Sequence, residues 1–275
     1  MTYYTDPACP WSWAAEPALR RLQAEFGDGL TITYVMGGLA REFARPVETM
    51  RHVLDATAAS GMPVDPRLWL DHPPKSSYPA CQGVKAAAEQ GLDGPYLRVV
   101  REGMMVERRA LDTADALVDA ARRVPGMNVE RFAIDLRSHA IVEAFGYDLE
   151  ATRTVPDDAR AAGKVADAHG SGERMAFPSA IFTGADGAGH GVYGAASYDD
   201  LRAAAVAAGA EPAAGGAEPP SVDEALRRFG RMATREVEEV CRLPEPRAQA
   251  ELWRLAADWR VRPVRVVTGW LWELA

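Results

Sequence analysis

A cysteine followed by a proline lies near the start of the chain, in the motif Cys9-Pro10-Trp11-Ser12. The motif opens a predicted helix, and the backbone N–H groups of a first helical turn favour a thiolate over a thiol. Pro10 suits the first helical position, where no N–H is needed. The thiolate is the attacking species in disulfide exchange. We therefore expect Cys9 to be partly accessible and to have a pKa below the ordinary range, although only modestly, because Trp11 supplies no charge.

Two strands and a helix must position this cysteine. Residues Thr2 to Thr5 are β-prone, and apolar spacing predicts a helix from Trp11 to Phe26, with a kink or a late start at Pro17. Residues Leu30 to Met36 alternate as a strand does. The first 36 residues therefore predict a βαβ unit whose helix begins at the cysteine.

The middle of the chain, from about residue 45 to about residue 170, is almost wholly helical in pattern. The predicted helices are Val47 to Ser60, Pro79 to Gln90, Pro95 to Val106, Thr113 to Arg123, Val129 to Ala140, Ile141 to Thr152 and Asp157 to His169. Strand signals return at Ser179 to Thr183 and at His190 to Tyr193, and a helix follows from Ser197 to about Ala208. A helical block is thus inserted between β elements.

This order of elements resembles the thioredoxin fold of the DsbA-like type, an α/β fold with a large helical insertion. The resemblance rests on Cys9-Pro10-Trp11-Ser12 and on Phe177-Pro178-Ser179 at the head of the third strand. The run from His72 to Cys81 looks like the branch that includes FrnE-like oxidoreductases and the cytosolic Spx-adaptor proteins. The resemblance covers about residues 1 to 210.

The resemblance implies roles for the residues around Cys9. The proline before the third strand is cis in this family, which places Pro178 beside Cys9 and makes the backbone of Phe177 a docking edge for substrate. Pro10 and Trp11 are then expected to contact a partner.

In the resembled family, the start of an insertion helix covers the same site. Ser76, Ser77 and Tyr78 precede the helix that begins at Pro79. Two interpretations are open: these groups contact a ligand, or one serine or the tyrosine backbone simply caps that helix. Cys81, in its first turn, is more typical of a packed thiol than of a resolving one.

Ser12 departs from the family pattern, because a dithiol enzyme has its second cysteine there. Three readings stay open. Cys9 acts alone, forming a mixed disulfide with glutathione or a partner protein, as monothiol glutaredoxins do. Alternatively, Cys9 pairs with the distant Cys81, or the fold is a non-catalytic adaptor or regulator that binds a protein. Kappa-class glutathione transferases share this fold, so glutathione is the one small-molecule partner that the sequence suggests.

Charge and composition exclude several other functions. The formal net charge is -8 over 275 residues and the pI is about 5.3, which argues against nucleic acid or anionic lipid as a partner. No apolar run has membrane-spanning length and no leader pattern follows Met1, so a cytoplasmic location is expected. The three cysteines and five histidines show no metal-ligand spacing.

The end of the chain is predicted to be a separate unit. Residues 211–220 are rich in Gly, Pro and Ala and indicate a linker, and residues 221–275 contain ten arginines and nine acidic residues. Two or three helices and a hairpin around Thr268-Gly269 resemble a winged helix. Because the second helix has a near-neutral face, we expect packing or homodimerisation rather than DNA binding.

Arginines on and after the helix that begins at Pro95 form a further candidate group. They are Arg98, Arg101, Arg108 and Arg109. Two interpretations are open: they hold the carboxylates of a glutathione-like ligand, or they form a solvated face paired with Glu102 and Glu107.

Overall fold

The computed structural model describes residues 1–168, 172–216 and 218–275. In chain order its elements are β1 (Thr2–Thr5), α1 (Pro10–Ala14), α2 (Glu16–Phe26), β2 (Thr33–Met36), α3 (Pro46–Ser60), α4 (Leu68–Asp71), α5 (Tyr78–Ala88), α6 (Asp93–Met105), α7 (Ala114–Ala121), α8 (Val129–Asp135), α9 (His139–Arg153), α10 (Asp157–Ala161), β3 (Val165–Asp167), β4 (Glu173–Met175), β5 (Ser179–Thr183), β6 (Gly189–Tyr193), α11 (Tyr198–Ala207), α12 (Val222–Phe229), β7 (Met232–Ala233), α13 (Thr234–Val240), α14 (Arg247–Ala257), β8 (Val261–Val266) and β9 (Gly269–Leu274).

The central sheet has the strand order β2-β1-β5-β6. Strands β1 and β2 are parallel, while β5 is antiparallel to both β1 and β6. Helices α2 and α11 pack on the sheet through a core that includes Leu22, Phe26, Phe182 and Leu201. The α/β thioredoxin fold with a DsbA-like helical insertion is therefore confirmed.

The helix predicted from Trp11 to Phe26 is two helices. Helix α1 ends at Ala14, and α2 begins at Glu16 with Pro17 in its first turn. Because a proline lacks the N–H that would bond back to the preceding turn, it fits the start of a helix but not its interior. The late start that Pro17 suggested is the one observed.

The insertion is helical from α3 to α10, and helices α5, α6, α8 and α9 share one core that includes Val84, Leu97, Phe132 and Phe145. The helix predicted from Asp157 to His169 is wrong, because α10 ends at Ala161 and the chain then forms the antiparallel pair β3-β4. Gly163 has a φ of +65°, which ends the helix. His169, and with it part of that prediction, lies outside the described residues.

Residues 221–275 form a helix, a short strand, two helices and a hairpin, with strand order β7-β9-β8. The tip of the hairpin is held against the insertion, because Thr268 Oγ1 accepts from Val64 N at 2.7 Å and donates to Val64 O at 3.2 Å. Val266 and Leu271 share a buried cluster with Trp13 of α1 and Trp69 of α4. The C-terminal elements therefore share a buried cluster with the helix that follows Cys9.

Across the described ranges, no helix is long and apolar enough to cross a membrane.

Candidate active site

Cys9 occupies the position immediately before helix α1, and Pro10 is the first helical residue. The thiol donates to the backbone carbonyl of Phe177, with Sγ and O 3.8 Å apart. The Phe177-Pro178 peptide bond that follows this carbonyl is cis. The two motifs from opposite parts of the chain thus meet at one place, as the resemblance implies. We call Cys9, Ser12, Phe177 and Pro178 the thiol site.

The expected accessibility of Cys9 and the expected fall in its pKa are both wrong. Cys9 is only 3% exposed. Burial raises the pKa of the Cys9 thiol, and hydrogen bonds from Ser12 together with the Arg174 guanidinium oppose that rise without reversing it. Helix α1 has only five residues, so its dipole is too small to outweigh desolvation. The resting site therefore contains a neutral thiol.

Ser12 is fully buried at the position where a dithiol enzyme has its second cysteine. Its hydroxyl accepts a hydrogen bond from Thr5 Oγ1 at 2.9 Å, and Thr5 accepts one from Arg101. In this row of hydrogen bonds Thr5 and Ser12 each accept one hydrogen bond. The hydroxyl proton of Ser12 is therefore available to donate to Cys9. Ser12 can therefore stabilise a thiolate but cannot form a disulfide.

Asp6 lies under the thiol site and organises the loops around it. It is fully buried, and its carboxylate accepts from Ala8 N at 2.8 Å, Leu39 N at 2.5 Å, Ser77 Oγ at 2.9 Å and Cys81 Sγ at 3.2 Å. Burial raises the pKa of Asp6, and these four donors oppose the rise. All four partners are hydrogen-bond donors, so the Asp6 carboxylate serves only as an acceptor in these contacts.

The side chain of Ser77 forms its hydrogen bonds to other groups of the protein. Its side chain does not cap α5, the expected simple role, and it is fully buried. It is the acceptor for Ala40 N at 3.1 Å as well as the donor to Asp6. Cys81 is also fully buried, and burial together with Asp6 raises the pKa of its thiol well above the ordinary range.

Trp11 and Trp13 face opposite ways, as expected. Trp13 is in the core at 1% exposed and donates through Nε1 to Pro63 O at 2.9 Å. Trp11 is 37% exposed and lines a groove of about 460 Å3 beside α1. Other walls of this groove come from Tyr198 of α11 and from Arg235 of α13. An exposed aromatic side chain next to the thiol site is thus available to a partner.

The aromatic side chains of Phe177 and Tyr78 close over the turn that follows β2. A Cβ on Gly37 would lie 1.9 Å from Phe177 Cζ, so only glycine allows the phenyl ring to pack here. Gly38 has a φ of +60° and approaches Tyr78, which is edge-on to Phe145 at 5.1 Å between ring centroids. These contacts bring the Tyr78 end of α5 to the thiol site.

Arg98 and Arg101 do not form a solvated face, which corrects that interpretation. Arg101 is 1% exposed and pairs with Glu16 of α2. Arg98 pairs with Glu16 at 3.1 Å, with Glu102 at 2.7 Å and with Glu236 of α13 at 2.8 Å. These ion pairs therefore connect α2, α6 and the C-terminal unit. Arg108, in contrast, pairs with Asp71 at the surface.

Two charged groups close to the thiol site are not predicted from the sequence. Asp6 lies in the predicted turn after the first strand, where an acid four residues before the first helical residue, Pro10, was a usable signal. Arg174 lies on β4 and stacks on the ring of Phe177, with 4.2 Å between the guanidinium carbon and the ring centroid. No sequence pattern connected Arg174 with Cys9, 165 residues earlier, because β4 itself was not predicted.

A cysteine at a helix start, facing the carbonyl that precedes a cis-proline, on this sheet, defines a DsbA-like thiol site on a thioredoxin fold. Residues 3–156 match the family model described as Thioredoxin. That is more than half of the chain, so the chain belongs to the thioredoxin family.

Curated relatives and solved structures agree with this family. The chain is 32% identical over 167 residues to the ClpXP adapter protein SpxH of Halalkalibacterium halodurans, a match that covers 56% of this chain and 54% of the relative. It is 26% identical to SpxH of Shouchella clausii, covering 98% of this chain and 86% of that protein. In the first and most of the other SpxH matches, the chain spans only about half the length of the relative.

Two solved structures share the fold at low sequence identity. One is a putative protein disulfide isomerase from Nitrosomonas europaea, with a TM-score of 0.59, 17% identity and coverage of 75% of this chain and 95% of that one. The other is the cytosolic disulfide reductase DsbM of Pseudomonas aeruginosa, with a TM-score of 0.55, 21% identity and coverage of 74% and 91%.

Proposed function

We propose that the protein carries out thiol–disulfide exchange in the cytoplasm through Cys9 alone. The observation that carries the proposal is the meeting of Cys9 Sγ with the Phe177 carbonyl at 3.8 Å, with a serine in the resolving position. Cys9 stands where the attacking cysteine of a disulfide-exchange site stands, and Ser12 replaces the usual second cysteine. Cys81 is a poor substitute, because its thiol is buried and donates to Asp6.

The chemistry of a single thiol needs two exchanges. The Cys9 thiol first loses its proton to solvent, and the thiolate attacks one sulfur of a substrate disulfide. A mixed disulfide with Cys9 forms, the substrate disulfide breaks, and the second substrate sulfur leaves as a thiolate. A small thiol from solution, as its thiolate, then attacks the mixed disulfide at the substrate sulfur. A new disulfide forms between these two sulfurs, the bond to Cys9 breaks, and the Cys9 thiolate is released. Electrons pass from the incoming thiol to the substrate disulfide, and no second protein cysteine is used.

Glutathione is the class of small thiol that we propose for the second step. It is supported by the structure of DsbM from Pseudomonas aeruginosa with GSH, which has the same fold at a TM-score of 0.50 and 22% identity, over 66% of this chain and 84% of that one. We propose that Pro10, Trp11, Phe177 and Pro178 form the docking edge for the substrate. We further propose that Tyr78 lies at the rim of this docking edge. Ser77 does not contact the substrate in this proposal, but supports the site through its hydrogen bond to Asp6.

A second candidate function is a non-catalytic adaptor that binds a protein partner. It is favoured by the burial of Cys9, which leaves a neutral thiol at rest, and by the groove beside Trp11, which includes Arg235 from the C-terminal unit. The curated relatives named ClpXP adapter protein SpxH support the same idea. In this reading residues 221–275 complete the binding surface or form a homodimer contact.

A glutathione-coupled disulfide reductase assay tests the proposal. The wild-type protein should reduce a small mixed disulfide, with a rate that rises with pH because burial raises the pKa of Cys9. Cys9→Ser should abolish the activity, while Cys241→Ser, which removes a thiol in the C-terminal core, is the matched control that should retain it. A wild-type protein without activity at any pH between about 7 and 9.5 would reject the proposal in favour of the adaptor.

A further inference from the structure

Arg174 is a buried cation at the edge of the thiol site. Its residue is 7% exposed, and its Nη1 donates to the backbone carbonyl of Met175 at 2.8 Å. Its guanidinium lies over the ring of Phe177, the same residue whose carbonyl oxygen accepts from the Cys9 thiol. Phe177 therefore contacts both groups, the guanidinium through its ring and the sulfur through its carbonyl.

The charge of Arg174 is not matched by a direct counter-ion. Among the residues that the structure describes, no carboxylate forms an ion pair with it, and its Nε is buried without an acceptor. Burial lowers the pKa of Arg174, yet an arginine remains protonated in proteins. The Asp6 and Asp167 carboxylates raise the pKa of Arg174 and so offset part of its charge, but neither forms an ion pair with it. A buried cation that is only partly offset stabilises a negative charge that appears nearby.

Three titratable groups act on Cys9 from the elements around it. They are Asp6 from the turn before α1, Tyr3 from β1 and Arg174 from β4. The Asp6 carboxylate already accepts four hydrogen bonds, and Tyr3 is a neutral phenol whose pKa is raised by burial. Of the three, only Arg174 is positive, so it is the group that can favour the thiolate.

We propose that Arg174 is the charge-compensating residue of the thiol site, a positioning residue that stabilises the Cys9 thiolate across the ring of Phe177. The proposal rests on the proposed function, because it matters only if Cys9 reacts. Its place in the reaction is the first step: the thiol proton leaves to solvent, and the new negative charge on sulfur offsets the buried guanidinium. When the mixed disulfide forms, Cys9 is neutral again and only Asp6 and Asp167 offset the charge of Arg174.

The pH dependence of Cys9 alkylation tests this role. Iodoacetamide is a suitable probe because it is neutral, and a Cys81→Ser/Cys241→Ser background leaves Cys9 as the one thiol. Arg174→Met keeps a long side chain on Phe177 without the charge, and it should raise the midpoint of the alkylation profile by about one pH unit. Arg174→Lys should stay within about half a unit of the parent, since it keeps the charge. Arg160→Met, at the surface on α10, is the matched control.

The outcomes separate the two proposals. A parent protein whose Cys9 reacts and whose midpoint is unchanged in Arg174→Met would overturn the role of Arg174 and leave the proposed function intact. A parent protein whose Cys9 is inert throughout would overturn the proposed function itself. If Arg174→Met does not fold, Arg174→Gln decides by the same shift, and an unchanged midpoint there counts against the role of Arg174.

Discussion

Glu236 is the acidic residue through which the C-terminal unit is joined to the helices around the thiol site. It is fully buried on α13 and accepts from Arg98 Nη1 at 2.8 Å and Nη2 at 2.9 Å. It also pairs with Arg20 Nε at 3.1 Å and accepts from Ala233 N at 2.7 Å. Replacing Glu236 with alanine removes all four contacts at once.

The expected loss of stability depends on which contacts Arg98 and Arg20 keep once Glu236 is removed. Arg98 keeps its ion pairs with Glu16 and Glu102. Arg20 keeps Glu16 at 3.8 Å and the backbone carbonyls of Arg231 and Phe229. Removing one partner of a buried ion pair costs about 3–5 kcal/mol. Because Arg98 is still paired, the lower end applies, and we expect Glu236→Ala to lower the free energy of unfolding by about 3 kcal/mol. For a chain of this size that corresponds to a fall in Tm of about 6–12 °C.

Thermal and urea unfolding provide the assay. Glu236→Gln keeps the size of the side chain without its charge and should lie between the wild type and Glu236→Ala. Glu251→Ala, which breaks a surface pair with Arg254 on α14, is the matched control and should change little. A Glu236→Ala protein as stable as the control would refute the view that this buried network holds the two units together.

Three further predictions concern the site. Ser12→Cys should form an intramolecular disulfide with Cys9 under oxidation, because the first and fourth positions of a helical turn are adjacent; intact mass with and without alkylation detects it, and its absence would mean that the turn is not thioredoxin-like. Cys81→Ser should retain most reductase turnover, whereas a loss equal to that of Cys9→Ser would indicate a distal pair. Gly37→Ala should destabilise the protein in urea by about 1–3 kcal/mol through a clash with Phe177, and an unaffected midpoint would contradict this packing.

The fold could be predicted because its signals are local. The strand before Cys9, the helix start at Pro10 and the helical periodicity of the insertion each lie within a short window. The β3-β4 pair is not predicted, because Asp157 to Ala161 does begin a helix and alanines continue on both sides of Gly163, the residue that ends it.

The environment of Cys9 could not be predicted because it is built by distant parts of the chain. The helix start suggested a partly exposed thiol, but Phe177, 168 residues later, lies against its sulfur, and the ring of Phe177 packs on Gly37. Arg98 likewise meets Glu236, 138 residues later. Burial of this kind outweighs a local electrostatic preference, and a single sequence does not show which charges will be buried together.

The central claim is that Cys9 alone carries out exchange, and incubation with oxidised glutathione tests it most directly. Intact mass followed by peptide mapping should show one glutathione per chain, attached to Cys9, formed faster as the pH rises and removed by excess reduced glutathione. The Cys9→Ser protein should remain unmodified under the same conditions. Modification confined to Cys81 or Cys241, or an equal adduct in Cys9→Ser, would contradict the account.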